Sequence, residues 1–220
     1  MTTIGIIGCG KIGGTLARLA ADAGHHTILS NSRGPGSLRE LAAQLGDRAR
    51  AATPEEAARD GDLVVVSVPL KAYRQVPAAD LRGRVVISTV NHNPGRDGAF
   101  PGIEAGETTA AGVLQAHLPE SPVVQAFSNI FFKHLATLGR PAGAPGRCAL
   151  PIAGDDAAAK ARVAALLDTL GYDAYDAGAL GESRRFAPGT PGGNAYLDPE
   201  GMFAAPGRPL SAAALAELLA

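Results

Sequence analysis

Six residues near the start of the chain, Gly8-Cys9-Gly10-Lys11-Ile12-Gly13, have the types and spacing to hold a pyrophosphate. They follow the apolar run Thr3 to Gly8 (TIGIIG) and open a segment, Lys11 to Ala23, in which Ile12, Leu16, Leu19 and Ala20 recur on one helical face. In that strand-turn-helix setting the glycines have separate tasks. Gly8 permits a tight turn, Gly10 lets the phosphates approach the backbone, and Gly13 lets the helix pack on the strand. Lys11 and Ile12 begin a helix whose free N–H groups and positive dipole end face the anion.

The nucleotide is chosen after the next strand, His26 to Ser30, which ends about 18 residues beyond Gly13. An acid there would hold both ribose hydroxyls, yet the run TILSNSRGPGS contains none. A carboxylate would repel a 2′-phosphate, whereas Asn31, Ser32 and the Arg33 guanidinium would bind one. NADP(H) is the cofactor expected.

In a doubly wound sheet the ligand lies across the carboxyl ends of the strands. The polar groups there are Ser67, Thr89, Asn91, His92, Ser128 and Asn129. Val68 and Pro69 could hold a nicotinamide ring flat, with Ser67 beside them and Asn91 anchoring its carboxamide. Hydride transfer demands alignment more than a catalytic acid. A carbonyl or imine substrate would need a proton donor, and His92 is the first candidate because its ordinary pKa lies near neutrality. Arg96 and Arg185 could grip an acidic tail, although Arg96 beside Asp97 could equally fix its own loop. His25, His26, His117 and His134 lack ligand spacing and read as surface or helix residues, so no metal site is expected.

These groups need a sheet to carry them. Leu38 to Leu45 has helical period, Ala49 to Ala52 is a weak strand, and Thr53 with Glu56 forms a capping box. Asp62 to Pro69 (DLVVVSVP) and Arg84 to Asn91 (RVVISTVN) are strands too evenly apolar for a sheet with one wet face, so helices must cover both. A helix near Ala110 to His117, a strand at Pro122 to Phe127 and a helix across Ile130 to Leu138 follow. Beyond the break GRPAGAPGR come a strand (Cys148 to Ala153), a helix capped by Asp155 or Asp156 and stopped by Gly171, and a strand at Tyr172 to Asp176. Ser211 caps a last helix. The expected architecture is α/β, a Rossmann-type doubly wound parallel sheet over 1–140 with a small C-terminal α/β annex over 147–220, packed as one unit.

Composition narrows the partners. With 220 residues, 46% of them apolar, the chain can bury a full core. A net charge of −1 without long runs of one sign argues against nucleic acid. No apolar stretch approaches a membrane span and no signal peptide is recognised, and Cys9 and Cys148 read as small buried residues. The expectation is a cytoplasmic protein, a homodimer, acting on a small-molecule hydride acceptor or donor. None of the four tyrosines has a lysine four positions on, and the helical domain that hydroxyacid dehydrogenases and pyrroline-carboxylate reductases add after a similar front half is not expected. The segment RRFAPGTPGGNAYLDPEGMFAAPGRPL could line the acceptor site, wrap a second subunit, or be a loosely ordered tail.

The sequence resembles the NADP-dependent oxidoreductase family typified by NADPH-dependent coenzyme F420 reductase. The resemblance runs through GCGKIGG (8–14), Ser32-Arg33, VVVSVP (64–69), VNHNPGRDG (90–98), VVQAFSN (123–129) and IAGDD (152–156) with the following YDAYDAGAL. It is also similar to the cytoplasmic domain of membrane-bound metalloreductases and to the front half of pyrroline-carboxylate reductases. The resemblance implies hydride exchange between nicotinamide and a second planar ring, a deazaflavin (coenzyme F420) or a flavin. The chain departs from the deazaflavin reductases in carrying Gly8-Cys9-Gly10 where GGTGxxG is usual, and Asn-His-Asn-Pro at 91–94 without an aromatic. Two other functions stay open: an NADPH-dependent imine or carbonyl reductase of a specialised pathway, and a non-catalytic NADP(H)-binding sensor.

Overall fold

Runs such as LVVV and VVIS have no polar face, so both of their sides must be covered, and the chain does this with one sheet of eight strands in the order β3-β2-β1-β4-β5-β6-β7-β8. The structure is a computed structural model describing residues 1–198, 200–203 and 206–220. Pro199, Ala204 and Ala205, inside the glycine- and proline-rich tail segment, lie outside the described residues. Along the chain the elements are β1 (Thr3–Ile7), α1 (Lys11–Asp22), β2 (His26–Ser30), α2 (Arg39–Leu45), β3 (Ala49–Ala51), α3 (Pro54–Asp60), β4 (Leu63–Val66), α4 (Ala78–Leu81) and β5 (Val85–Ser88). Then come α5 (Pro94–Asp97), α6 (Pro101–Glu104), α7 (Ala110–His117), β6 (Val123–Gln125), α8 (Phe132–Thr137), β7 (Ala149–Gly154), α9 (Ala157–Thr169), β8 (Asp173–Asp176) and α10 (Ala212–Leu218).

The period of two in β4 divides the core. Leu63 and Val65 join Leu16, Ala17 and Ala20 of α1 with Val163, Leu166 and Leu167 of α9. Val64 and Val66 join Ala57 and Ala58 of α3, Leu81 of α4 and Leu114 of α7. Each fully buried valine or leucine contributes about 1.5–3 kcal/mol, which fixes the register against a one-residue slip. Gly5 sits on the α3 side because a side chain would not fit: its Cβ would lie 2.0 Å from the Ala57 carbonyl oxygen.

The expected caps form. Thr53 Oγ1 accepts from Glu56 N at 3.2 Å while Glu56 Oε2 accepts from Thr53 N at 2.8 Å. Of the two candidates before α9, Asp156 is the cap, accepting from Ala159 N at 2.7 Å, and Asp155 instead accepts from Leu180 N at 2.8 Å. Gly171 ends the helix at φ +93°.

One strand pair departs from the all-parallel expectation. β7 runs antiparallel to β6, with Gly154 opposite Val124, so the annex extends the same sheet. β7 starts from the carboxyl edge, reached through the connection 138–148 that follows the six residues of α8. α8 begins at Phe132 rather than Ile130, and α4, α5, α6 and the 3₁₀ turn Leu70–Gln75 were not foreseen.

The described part of the tail is packed, not loose. Phe186 and Tyr196 are fully buried, Tyr196 donates its hydroxyl to Ala149 O at 2.6 Å, and Ala149 N donates to Leu210 O at 2.7 Å. His134 is a helix residue, as expected, and is buried within α8, whereas His25 departs from the surface or helix reading: it is buried with its Nε2 2.9 Å from Thr169 Oγ1, where burial lowers its pKa. Among the described residues no helix is long and apolar enough to cross a membrane.

Candidate functional site

The turn after β1 is shaped by what its glycines exclude. Gly8 has φ +104° and a Cβ there would meet the Ser67 carbonyl oxygen at 2.3 Å; at Gly13 it would meet the Gly8 carbonyl oxygen at 2.2 Å. Gly10 has nothing within 4 Å of such a Cβ, so the backbone there is open to a ligand. Gly8 N and Cys9 N both donate to Ser30 O (2.9 and 3.0 Å), and Gly10 N donates to Gly8 O at 2.8 Å. The free donors are further along. The N–H groups of Lys11, Ile12 and Gly13 have no acceptor among the described residues, and α1 has neither a side-chain cap nor an acid in its first turn. An anion fits at this helix start.

Beside it lies a cavity of about 360 Å³. Gly8, Gly10, Asn31, Ser32, Arg33, Ser67, Val68 and Pro69 come together in its wall. Lys11, Ile12 and Gly13 do not; Lys11 places its ammonium 5.3 Å over the Phe132 ring, Ile12 packs on the core, and what these residues present is backbone. Asn31 organises its loop, accepting from Arg33 N at 2.8 Å and donating Nδ2 to Ser37 Oγ at 3.0 Å. Ser32 and Arg33 are exposed, and Arg33 makes no ion pair among the described residues. Cys9 also lines this cavity; burial pushes its thiol up to about 12 against a smaller opposing effect of the Ser30 hydrogen bond, so it stays protonated.

Asn91 and His92 belong to a second cavity, of about 470 Å³, at the carboxyl ends of β5 and β6. It is walled by the loop leading to α7, by Gln125 of β6 and by the tail turn that carries Ser183 and Arg184. Asn91 donates Nδ2 to Ser128 O at 2.5 Å and so ties the end of β5 to the end of β6. The neighbouring Phe127 is buried at φ +58°, a conformation that costs a non-glycine residue on the order of 1–3 kcal/mol and tends to occur at functional sites. His92 holds its Nε2 3.0 Å from Gly98 O and meets Phe100 edge-on at 5.3 Å.

Neither arginine expected to grip a ligand is free. Arg96 bonds Asp97 through Nε (2.9 Å) and a terminal nitrogen (2.8 Å), and reaches Asn91 O at 2.8 Å. Burial opposes charge on Asp97, but the Arg96 guanidinium and the N–H groups of Asn93 and Lys71 outweigh it and hold the carboxyl down to about 2. Arg185 pairs with Glu182 at 3.1 Å and donates to the carbonyls of Leu219 and Ala177. The residues overlooked in the sequence are Gln125, Thr109, Ser183, Glu104 and Glu107. Gln125 had a signal, an amide inside the apolar strand VVQAF; the others become neighbours only through folding.

A sheet in this order, with an anion-binding turn after β1 and an acid-free loop after β2, defines a Rossmann-type dinucleotide-binding protein. Residues 3–92 match the family described as NADP oxidoreductase coenzyme F420-dependent. That match, over the first part of the chain, supports an NADP-dependent oxidoreductase similar to the family its motifs resemble, with NADP(H) as its nucleotide. Among solved structures it is similar to a hypothetical protein from Sinorhizobium meliloti, 25% identical over 96% of this chain and 97% of that one, with a TM-score of 0.75. A candidate F420-dependent NADP-reductase from Arthrobacter sp. FB24 is 26% identical over 84% of this chain and 88% of that one, with a TM-score of 0.70. A reductive aminase from Aspergillus terreus, 19% identical, shares the fold over 82% of this chain and 56% of that one, with a TM-score of 0.58. No curated protein matches the chain.

Proposed function

We propose that this protein transfers a hydride between NADP(H) and a planar ring, a deazaflavin or flavin-like acceptor, seated in the second cavity. The observation that supports this best is the absence, among the described residues lining that cavity, of an acid–base pair. Its titratable side chains are His92, Glu104, Glu107 and Arg184, and His92 has its Nε2 against the Gly98 carbonyl. Carbonyl or imine reduction needs a positioned proton donor; hydride exchange between two rings needs approach and alignment.

The dinucleotide would supply the hydride, and the residues divide the holding of it. The N–H groups of Lys11, Ile12 and Gly13 receive the pyrophosphate where Gly10 leaves room. Ser32 and Arg33 hold the 2′-phosphate. Asn91, fixed by Ser128 O, keeps the ends of β5 and β6 at one spacing, and the tail turn excludes water from the far side. The test is steady-state NADPH oxidation with a deazaflavin, riboflavin and a panel of cyclic imines. Turnover with a ring acceptor is expected. Turnover with imines alone would replace this function, and firm NADPH binding with no turnover on any acceptor would make the protein a sensor.

A further inference from the structure

The wall of the second cavity contains a buried amide with one unmade hydrogen bond. Gln125 is 3% exposed and donates its Nε2 to Val90 O at 2.9 Å. A carbonyl only accepts, so this bond fixes which end of the amide is nitrogen. Oε1 is then the spare end, and it has no partner among the described residues. A buried oxygen in that condition calls for an N–H from whatever fills the cavity.

The mouth adds a sign. Glu104 and Glu107 line it and are exposed, and neither makes an ion pair among the described residues. Arg184, the guanidinium in the wall, lies 3.6 Å from Glu182, which Arg185 also engages. The start of α7 opens on the cavity with at most about half a positive charge, and Thr109 Oγ1 already accepts one of its N–H groups, that of Gly112, at 3.0 Å. Two carboxylates therefore outweigh the positive groups, and the arginines that could have reversed the balance, Arg96 and Arg185, are already paired with Asp97 and Glu182.

We infer that the second cavity selects an uncharged or cationic acceptor that presents an N–H edge to Gln125 Oε1, and discriminates against the same ring bearing an acidic side chain. This rests on the hydride reading for the presence of a ring acceptor, and adds which members of that class are taken. Each opposed pair of unit charges about 8 Å apart in water is worth about a factor of two in affinity. Two or three such pairs give about a fourfold to tenfold preference.

The test is fluorescence titration of the full chain, saturated with NADP⁺, with two 5-deazaflavins of identical ring: one with a neutral ribityl chain, one with a phosphate- and carboxylate-bearing chain. The neutral form should bind about fourfold to tenfold more tightly at low salt, with the gap closing at high salt. Glu107→Gln should narrow the gap about twofold, and Gln125→Leu should weaken both ligands about tenfold, with thermal unfolding and NADP⁺ affinity reporting that the variant is folded. Equal or tighter binding of the acidic form, a gap indifferent to salt, or unchanged ring affinity in Gln125→Leu would overturn the inference. Rings bound in the expected order without NADPH oxidation would sink the hydride reading and leave this one standing; no binding of either ring to the NADP⁺-loaded protein would sink both.

Discussion

Arg33→Ser isolates the cofactor preference because the substitution touches so little else. The Arg33 side chain is exposed and makes no ion pair among the described residues. Its backbone bond to Asn31 Oδ1, 2.8 Å long, belongs to the turn and survives any side chain. Stability should therefore stay within about 0.5 kcal/mol of the parent. What is lost is a charge-assisted hydrogen bond to the 2′-phosphate, worth about 1.5–3 kcal/mol, which is about tenfold to a hundredfold in the Kd for NADPH. NADH carries no such phosphate, and its Kd should move less than about twofold by the same reasoning. Some preference for NADPH should remain through Ser32. Isothermal titration with both nucleotides, in parent and variant, measures all of this at once. Equal weakening of NADPH and NADH, or no weakening of either, would show that the guanidinium does not meet the phosphate.

The glycines of the first turn should separate binding from folding. Gly13→Ala forces a Cβ to 2.2 Å from the Gly8 carbonyl and should cost about 1–3 kcal/mol in urea unfolding, whereas Gly10→Ala enters open space at φ −84° and should leave stability alone while weakening NADPH about tenfold or more. Asp97 should contribute an acid-sensitive part of stability. Its folded pKa of about 2 lies below the ordinary 3.8, so its contribution is complete above the ordinary value and drains away as pH falls through about 2; the stability gap between the parent and Asp97→Asn should shrink between pH 5 and pH 3, and a gap that widens would contradict the assignment. For His92→Gln, kcat with a ring acceptor should fall less than about threefold, because the amide can still reach Gly98 O; a loss on the order of a hundredfold would instead make His92 a proton donor.

What could be read from the sequence and what could not divides by the range of the interaction. LVVV and VVIS announce strands covered on both faces because the period of burial is written in consecutive residues, and the Thr53–Glu56 box caps α3 across a single turn. Asn93 before Pro94 is a start signal for α5, with Asn93 Oδ1 accepting from Gly95 N at 3.1 Å, but a helix of four residues has no period to go with it. The antiparallel step at β7 depends on where the connection 138–148 returns the chain to the sheet, which no local pattern states. The site is the extreme case. Asn91 and Ser128 are 37 positions apart and Gln125 and Val90 are 35 apart, and each bond reassigns a residue's chemistry. Asn91 spends its N–H₂ group on a carbonyl and becomes a strut, Arg96 turns inward to Asp97, and Gln125, unremarkable in a strand, is left with a bare oxygen. Function at this site is decided by which hydrogen bonds remain unmade after folding, and that remainder cannot be computed until every long-range partner has been placed.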